Sequence, residues 1–153
     1  MSRFYSSYDY ASHGSNMRES ESVRSRNLSI AMSHQSYEKW DIVMVEFGQE
    51  YDCCQIRGYR PAIVYSDTEY NEHSPIMHVI PLTKKLKGVD RDYHVFLDKN
   101  DCIGYQSSGI ALIEQIRPID RKFVNRKVGE VDDFHAIDKI DDAVAEFFGF
   151  DQG

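Results

Sequence analysis

From Asp41 onward the chain alternates short apolar runs with polar, turn-rich segments. Asp41-Ile42-Val43-Met44-Val45-Glu46-Phe47 has the length and β-branched content of a buried strand. Further runs at 59–66, at 76–82 ending on Thr83, at 93–97 and at 110–116 repeat the pattern. Between them lie polar stretches at 48–56 and 67–75, both predicted to be loops, and the basic segment 84–88. Many short strands separated by turn signals predict a mainly β protein with some helix (α+β), a small barrel or twisted antiparallel sheet. Near the end the period changes. Phe134, Ile137, Ile140, Val144, Phe147 and Phe148 recur at helical spacing, with Asp138, Lys139, Asp141, Asp142 and Glu146 on the opposite face. Asp132 is the predicted N-cap and Gly149 the stop, so a C-terminal helix should cover one face of the sheet. A further short helix is expected within 120–125.

Residues 1–36 carry no period of either kind. Eleven of them are serine, with scattered tyrosine and arginine, the composition of a disordered tail. The ordered domain is therefore 37–153.

Composition narrows the function. The chain has 153 residues, enough for one domain with a sizeable core, and no apolar run approaches the roughly 20 residues of a membrane helix. The first residues lack the apolar core of a secretory signal, so a cytoplasmic protein without membrane contact is expected. Cys53, Cys54 and Cys102 are an odd set with no metal-ligand spacing, which predicts reduced thiols and no metal or other cofactor. A net charge of −7 argues against a generic nucleic-acid coat protein. RNA binding would need a local basic patch, and Arg57, Arg60, Lys84, Lys85 and Lys87 form one only if the fold joins their two loops.

The chemistry centres on Arg60. It precedes Pro61 and opens the run Ala62-Ile63-Val64, so proline geometry holds it extended at the mouth of a strand. Gly58 permits a left-handed turn just before it. A guanidinium carries five N–H donors in a planar fork suited to phosphate oxygens. Taken singly, an Arg-Pro pair at a strand start is a solvated arginine, and Thr83 is a strand-end residue satisfying backbone groups.

The joint spacing of several blocks changes that reading. Asp41-Ile42-Val43, Arg57-Gly58-Tyr59-Arg60-Pro61-Ala62-Ile63-Val64, Asn71, Pro81-Leu82-Thr83, His94-Val95 and Glu114-Gln115-Ile116-Arg117-Pro118-Ile119-Asp120 resemble the MazF/PemK family of toxin endoribonucleases, in order and in register over 39–150. The resemblance implies an SH3-like barrel with a C-terminal helix, and cleavage of single-stranded mRNA by attack of the ribose 2′-OH on its own phosphate. That route yields 2′,3′-cyclic phosphate and 5′-OH ends and takes no metal, because the nucleophile belongs to the substrate. It further implies a homodimer neutralised by a cognate antitoxin, with operator DNA bound only through that antitoxin. Arg60 and Thr83 fall on the catalytic positions. RNA contacts are implied for Gln55, Arg57, Tyr59, Asn71, Lys84, Lys85 and His94. Glu114 and Gln115 read as core or interface residues that hydrogen-bond the sheet rather than as catalytic ones.

Three departures stand out. Trp40 occupies a position where the family usually has glycine, and Gly109 one where it tends to have serine. Gln55-Ile56 replaces a Glu-Gln pair whose carboxylate does proton-transfer work in some members. Glutamine cannot be a general base. His94, Glu50 or Asp52 then substitutes, or cleavage runs on Arg60 and Thr83 alone, or this member is slow or inactive. The alternative class is a CcdB-like gyrase poison, which shares the small barrel without cutting RNA; the terminal 147–153 shows no specific match to it. Deleting residues 1–36 is expected to leave the thermal unfolding midpoint nearly unchanged; a large fall would mean that the tail packs on the domain.

Overall fold

The computed structural model describes residues 36–84 and 92–150. The serine-rich stretch up to residue 35 lies outside them, as do Lys85 and Lys87 and with them part of the expected basic patch.

Eight strands form one antiparallel sheet: β1 (Asp41–Glu46), β2 (Tyr59–Val64), β3 (Ile76–Thr83), β4 (His94–Leu97), β5 (Cys102–Ile103), β6 (Gly109–Leu112), β7 (Arg117–Asp120) and β8 (Val124–Val131). Their order is β4-β6-β3-β2-β1-β8-β5, with β7 also paired to β3. Among the described residues two helices complete it, α1 (Thr68–His73) and α2 (Phe134–Phe148). The result is the expected fold class, a curled half-barrel of antiparallel strands with a C-terminal helix.

The curl follows from how the strands are buried. β1 sends Ile42 to one face and Val43 and Val45 to the other, and all three are fully buried. Ile63, Ile80, Leu82 and Leu97 share the Ile42 side with Ala136, Ile140, Ala143 and Val144 of α2. Ala62, Val64, Met77, Val79 and Val124 close the other side with Tyr37 and Phe47. Two covered faces explain why these strands are near-continuous apolar runs rather than alternating ones. Register shifts between β1 and β8 at Ile42/Val43 and Met44/Val45 add the local bend that such bulges introduce.

β3 is shared along its length. Ile76–Val79 pairs with β7, whereas Leu82 and Thr83 pair with β6. Pro81, which has no N–H to donate, falls in the two-residue gap between these partners and still faces Ala62 of β2.

The structure corrects several expectations. The segment expected as a loop at 67–75 contains α1, whose start is capped by the Asp67 carboxylate accepting from the Glu69 amide at 3.2 Å. Its tertiary anchor is Asn71. The run at 110–116 is not one strand: β6 stops at Leu112 and a 3-10 turn, Ile113–Gln115, follows. The helix expected within 120–125 is only the 3-10 turn Arg121–Phe123, leading into β8. β8 escaped notice because Val-Asn-Arg-Lys-Val-Gly-Glu-Val is mostly polar. Its Gly129 is needed where β5 crosses, since a Cβ there would lie 2.6 Å from the Tyr105 amide nitrogen. α2 is capped by Asp133, not Asp132, through its carboxylate accepting from the Ala136 amide at 3.0 Å. Phe134 does not join the apolar face; it is 83 % exposed, and Ala136 and Ala143 are buried instead. Gly149 ends the helix in the left-handed region at φ 74°, as its type predicts.

Trp40 also adopts a left-handed backbone, φ 80°. A side chain in that region carries a steric penalty of roughly 1–2 kcal/mol, which glycine escapes. The penalty is offset by what the residue holds. Its N–H donates to Val64 O at 2.7 Å, its carbonyl accepts from Val131 N at 2.9 Å, and its ring meets Tyr65 edge-on at 5.4 Å. Tyr65 in turn donates its hydroxyl to Asp141 of α2 at 2.6 Å. Both Trp40→Gly and Trp40→Ala should lower stability, with Gly the milder by about 0.5–1 kcal/mol, the left-handed penalty of Ala less the added chain entropy of Gly. Chemical denaturation of the two variants checks the order.

Candidate active site

The β1–β2 loop is closed at its base by two glycines. Gly58 (φ 82°) donates to Gly48 O at 2.8 Å and accepts from Phe47 N at 2.9 Å. This is the left-handed turn expected before Arg60. β2 then enters the sheet with Arg60 opposite Val45 and Pro61 opposite Met44. On its other side β2 pairs Ala62 with Pro81 of β3. Counting two residues further along each strand leads to Arg60 and Thr83.

Those two side chains line one cavity of about 290 Å³, together with Tyr59, Pro61, Leu82, Lys84 and Tyr105. Thr83 is buried at its wall, whereas Tyr59 is 46 % exposed and Lys84 lies open to solvent. A neighbouring recess of about 350 Å³, bounded by Phe96, Ser107, Ser108 and Gly109, shares Lys84 with it. Arg60 is oriented from two sides. Its Nε donates to Arg57 O at 3.0 Å, and its Nη2 lies 3.3 Å from Glu50 Oε1.

Arg57 stands behind this cavity rather than on its lining. It donates to Phe47 O at 3.3 Å and to Gln55 Oε1 at 3.0 Å, and its guanidinium lies 5.3 Å from the Tyr51 ring centroid. Gln55 is exposed and engaged with Arg57. Arg60 and Lys84 thus share one cavity, with Arg57 bonded to Arg60 through its carbonyl.

Two further residues hold the loop. Gln115, set on the turn after β6, accepts from the Ile56 amide at 2.5 Å and donates to Cys54 O at 3.2 Å. Arg117 donates to Ile56 O, and its guanidinium lies 4.2 Å from the Phe47 ring centroid. Burial, then the nearby positive charge of Arg57, pushes the Arg117 pKa below the usual arginine value. It is a fourth cation at this site, beside Arg57, Arg60 and Lys84, that composition did not single out; its place in the Gln-Ile-Arg-Pro block was the available signal. Gln115 resolves the open reading of that block in favour of hydrogen bonding, to the loop rather than the sheet.

Two expected RNA contacts sit elsewhere. Asn71 is 0 % exposed; its amide donates to Tyr37 O at 3.1 Å and Ser66 O at 3.0 Å, its side-chain oxygen accepts from Ser66 at 2.5 Å, and its carbonyl accepts from buried Arg121. It ties α1 to the segment before β1 and offers RNA no surface. His94 lies 2.8 Å from Glu114 and lines a recess against α2 with Lys139 and Asp142, away from Arg60. Lys85 lies outside the described residues. Among the described residues no group of three His, Cys, Asp or Glu side chains could hold a metal, and no helix is long and apolar enough to cross a membrane.

The same half-barrel occurs in solved structures. MazF from Deinococcus radiodurans superposes with a TM-score of 0.64 at 21% identity, over 76% of this chain and 99% of that one. An endoribonuclease in complex with its cognate antitoxin, from a mycobacterial species, gives 0.61 at 17% identity, over 78% and 100%. The likeness fixes the class of fold, a small antiparallel half-barrel. The family model of the PemK-like, MazF-like toxins of type II toxin–antitoxin systems matches residues 38–148, and the chain belongs to that family. Endoribonuclease EndoA of Bacillus subtilis is 31% identical over 87 residues, 57% of this chain and 73% of that protein.

Removing the loop's anchor should loosen it. Gln115→Ala is expected to destabilise the domain by about 1 kcal/mol and to raise hydrogen exchange at the Ile56 amide by roughly tenfold or more, read by NMR or mass spectrometry.

Proposed function

We propose that this chain is a toxin endoribonuclease that cleaves single-stranded mRNA by attack of a ribose 2′-OH on the adjacent phosphorus. The observation that carries this reading is the convergence of Arg60 and Thr83 on one open, cationic cavity. Arg60 faces the phosphate and stabilises the charge that develops on it, a role worth roughly 10²–10³ in rate per donor. The Thr83 hydroxyl holds a phosphate oxygen. Tyr59 offers an exposed ring for stacking a base, while Lys84 meets the backbone. Gln55 and Arg57, paired with each other on the same loop, read base edges. Asn71 and His94 are assigned structural work. The reaction needs no metal, because the nucleophile comes with the substrate.

The toxin acts in the cytoplasm as a homodimer, and a cognate antitoxin silences it and carries the pair to operator DNA. Family membership supports this; a mycobacterial endoribonuclease was solved in complex with its cognate antitoxin, and Deinococcus radiodurans MazF was also solved as MazE-MazF.

Purified protein with a long RNA tests the reading. Cleavage should leave 2′,3′-cyclic phosphate and 5′-OH ends and be indifferent to EDTA. Arg60→Lys, which keeps the charge and loses the fork, should fall by roughly 10²-fold or more while remaining folded. Thr83→Val should fall by about tenfold, near one charge-assisted hydrogen bond. Metal-dependent cuts with 5′-phosphate ends would overturn the mechanism. Intact RNA beside inhibited gyrase supercoiling would place the chain in the gyrase-poison class instead.

A further inference from the structure

We infer that Glu50 is the general base of this site, an assignment that rests on the endoribonuclease reading above. Attack by a 2′-OH requires a proton acceptor beside the phosphate-binding arginine. Gln55, where a carboxylate is expected by resemblance, cannot accept that proton, and its side-chain oxygen is turned to Arg57. Glu114 is engaged with His94, which lines a recess against α2 and not the Arg60 cavity. Glu50 reaches Arg60 from a different point on the same loop, with 3.3 Å between carboxylate and guanidinium.

Two features accompany this placement. Gly58 stands directly beneath the carboxylate: a Cβ there would lie 3.2 Å from Glu50 Oε1. The glycine that makes the left-handed turn thus also makes room for Glu50. In addition, the Glu50 side chain is 71 % exposed, so its unpaired oxygen is open to a bound nucleotide. An exposed ion pair contributes little to folding. Its value lies in setting an acceptor next to Arg60.

The step balances without a co-reactant. Glu50 takes the 2′-OH proton as the O2′–P bond forms and the P–O5′ bond breaks. The 5′-oxygen takes a proton from water, and Glu50 returns its own to solvent. Arg60 stabilises the phosphorane oxygens throughout.

Glu50→Gln separates base from brace, since the amide oxygen still accepts from Arg60. Single-turnover cleavage by full-length wild type should fall on the acidic side of its pH profile. Glu50→Gln should be slower by about 10²–10⁴-fold, the usual contribution of a general base, and should lose that acidic limb. Glu50→Asp should keep the limb at an intermediate rate, and circular dichroism should match wild type for both. Undiminished cleavage by Glu50→Gln with the acidic limb intact overturns the assignment alone. Faster cleavage by Glu50→Gln also overturns it, making Glu50 a competitor of the phosphate. Wild type that leaves RNA intact at every pH overturns the endoribonuclease reading and this assignment with it.

Discussion

The register of β2 on β3 governs everything at the cavity. With Ala62 facing Pro81, the outer ends of the two strands deliver Arg60 and Thr83 to one opening. A slip of one residue would send the alternate side chains of β2 to the opposite faces, exchanging Ile63 for Ala62 and Val64 in two filled cores. The prolines reinforce the choice. Neither Pro61 nor Pro81 can donate a ladder bond, so the strands close well only where those missing N–H groups fall in gaps. Core packing thereby fixes the separation of two residues that never enter the core together.

Around that fixed pair the β1–β2 loop is held by borrowed groups. Gln115 and Arg117 come from the turn after β6 and from β7, far away in sequence, yet both bind the backbone at 54–56. The loop therefore keeps its shape only while the remote end of the sheet is folded. Its price is electrostatic: Arg57, Arg60 and Arg117 crowd one side of the molecule, and burial beside Arg57 lowers the Arg117 pKa. Glu50 supplies one countercharge, and a polyanion would supply more. The chain as a whole carries a net charge of −7, so a cluster of cations stands against its overall sign.

How legible this was depends on how local each cause is. The strands with dense β-branched cores, the helix from 134 and its Gly149 stop followed from short-range pattern. β8 did not, because its place is dictated by pairing to β1 and by Gly129 admitting β5, neither visible in a polar run. α1 was missed for a similar reason: six residues make no helical period, and it is secured by Asn71 and Arg121, 50 residues apart in sequence. At the site, the extended geometry of Arg60 is written in Pro61, but its meeting with Thr83 depends on register. Asn71 looked like a ligand-binding residue, because a buried amide and an exposed one are the same letter. Glu50 stood as one of several acceptors until the loop's fold brought it to Arg60.

Trp40 has a consequence of a different kind. It is the chain's single tryptophan. Its ring rests on Tyr65, whose hydroxyl is bonded to Asp141 on α2, and Lys39 lies 4.3 Å from the centroid of that same tyrosine ring. The indole is thus a built-in optical reporter of helix docking: separation of α2 from the sheet would change the surroundings of the one strong near-ultraviolet fluorophore. Folding and the detachment of α2 can each be followed in the unlabelled protein.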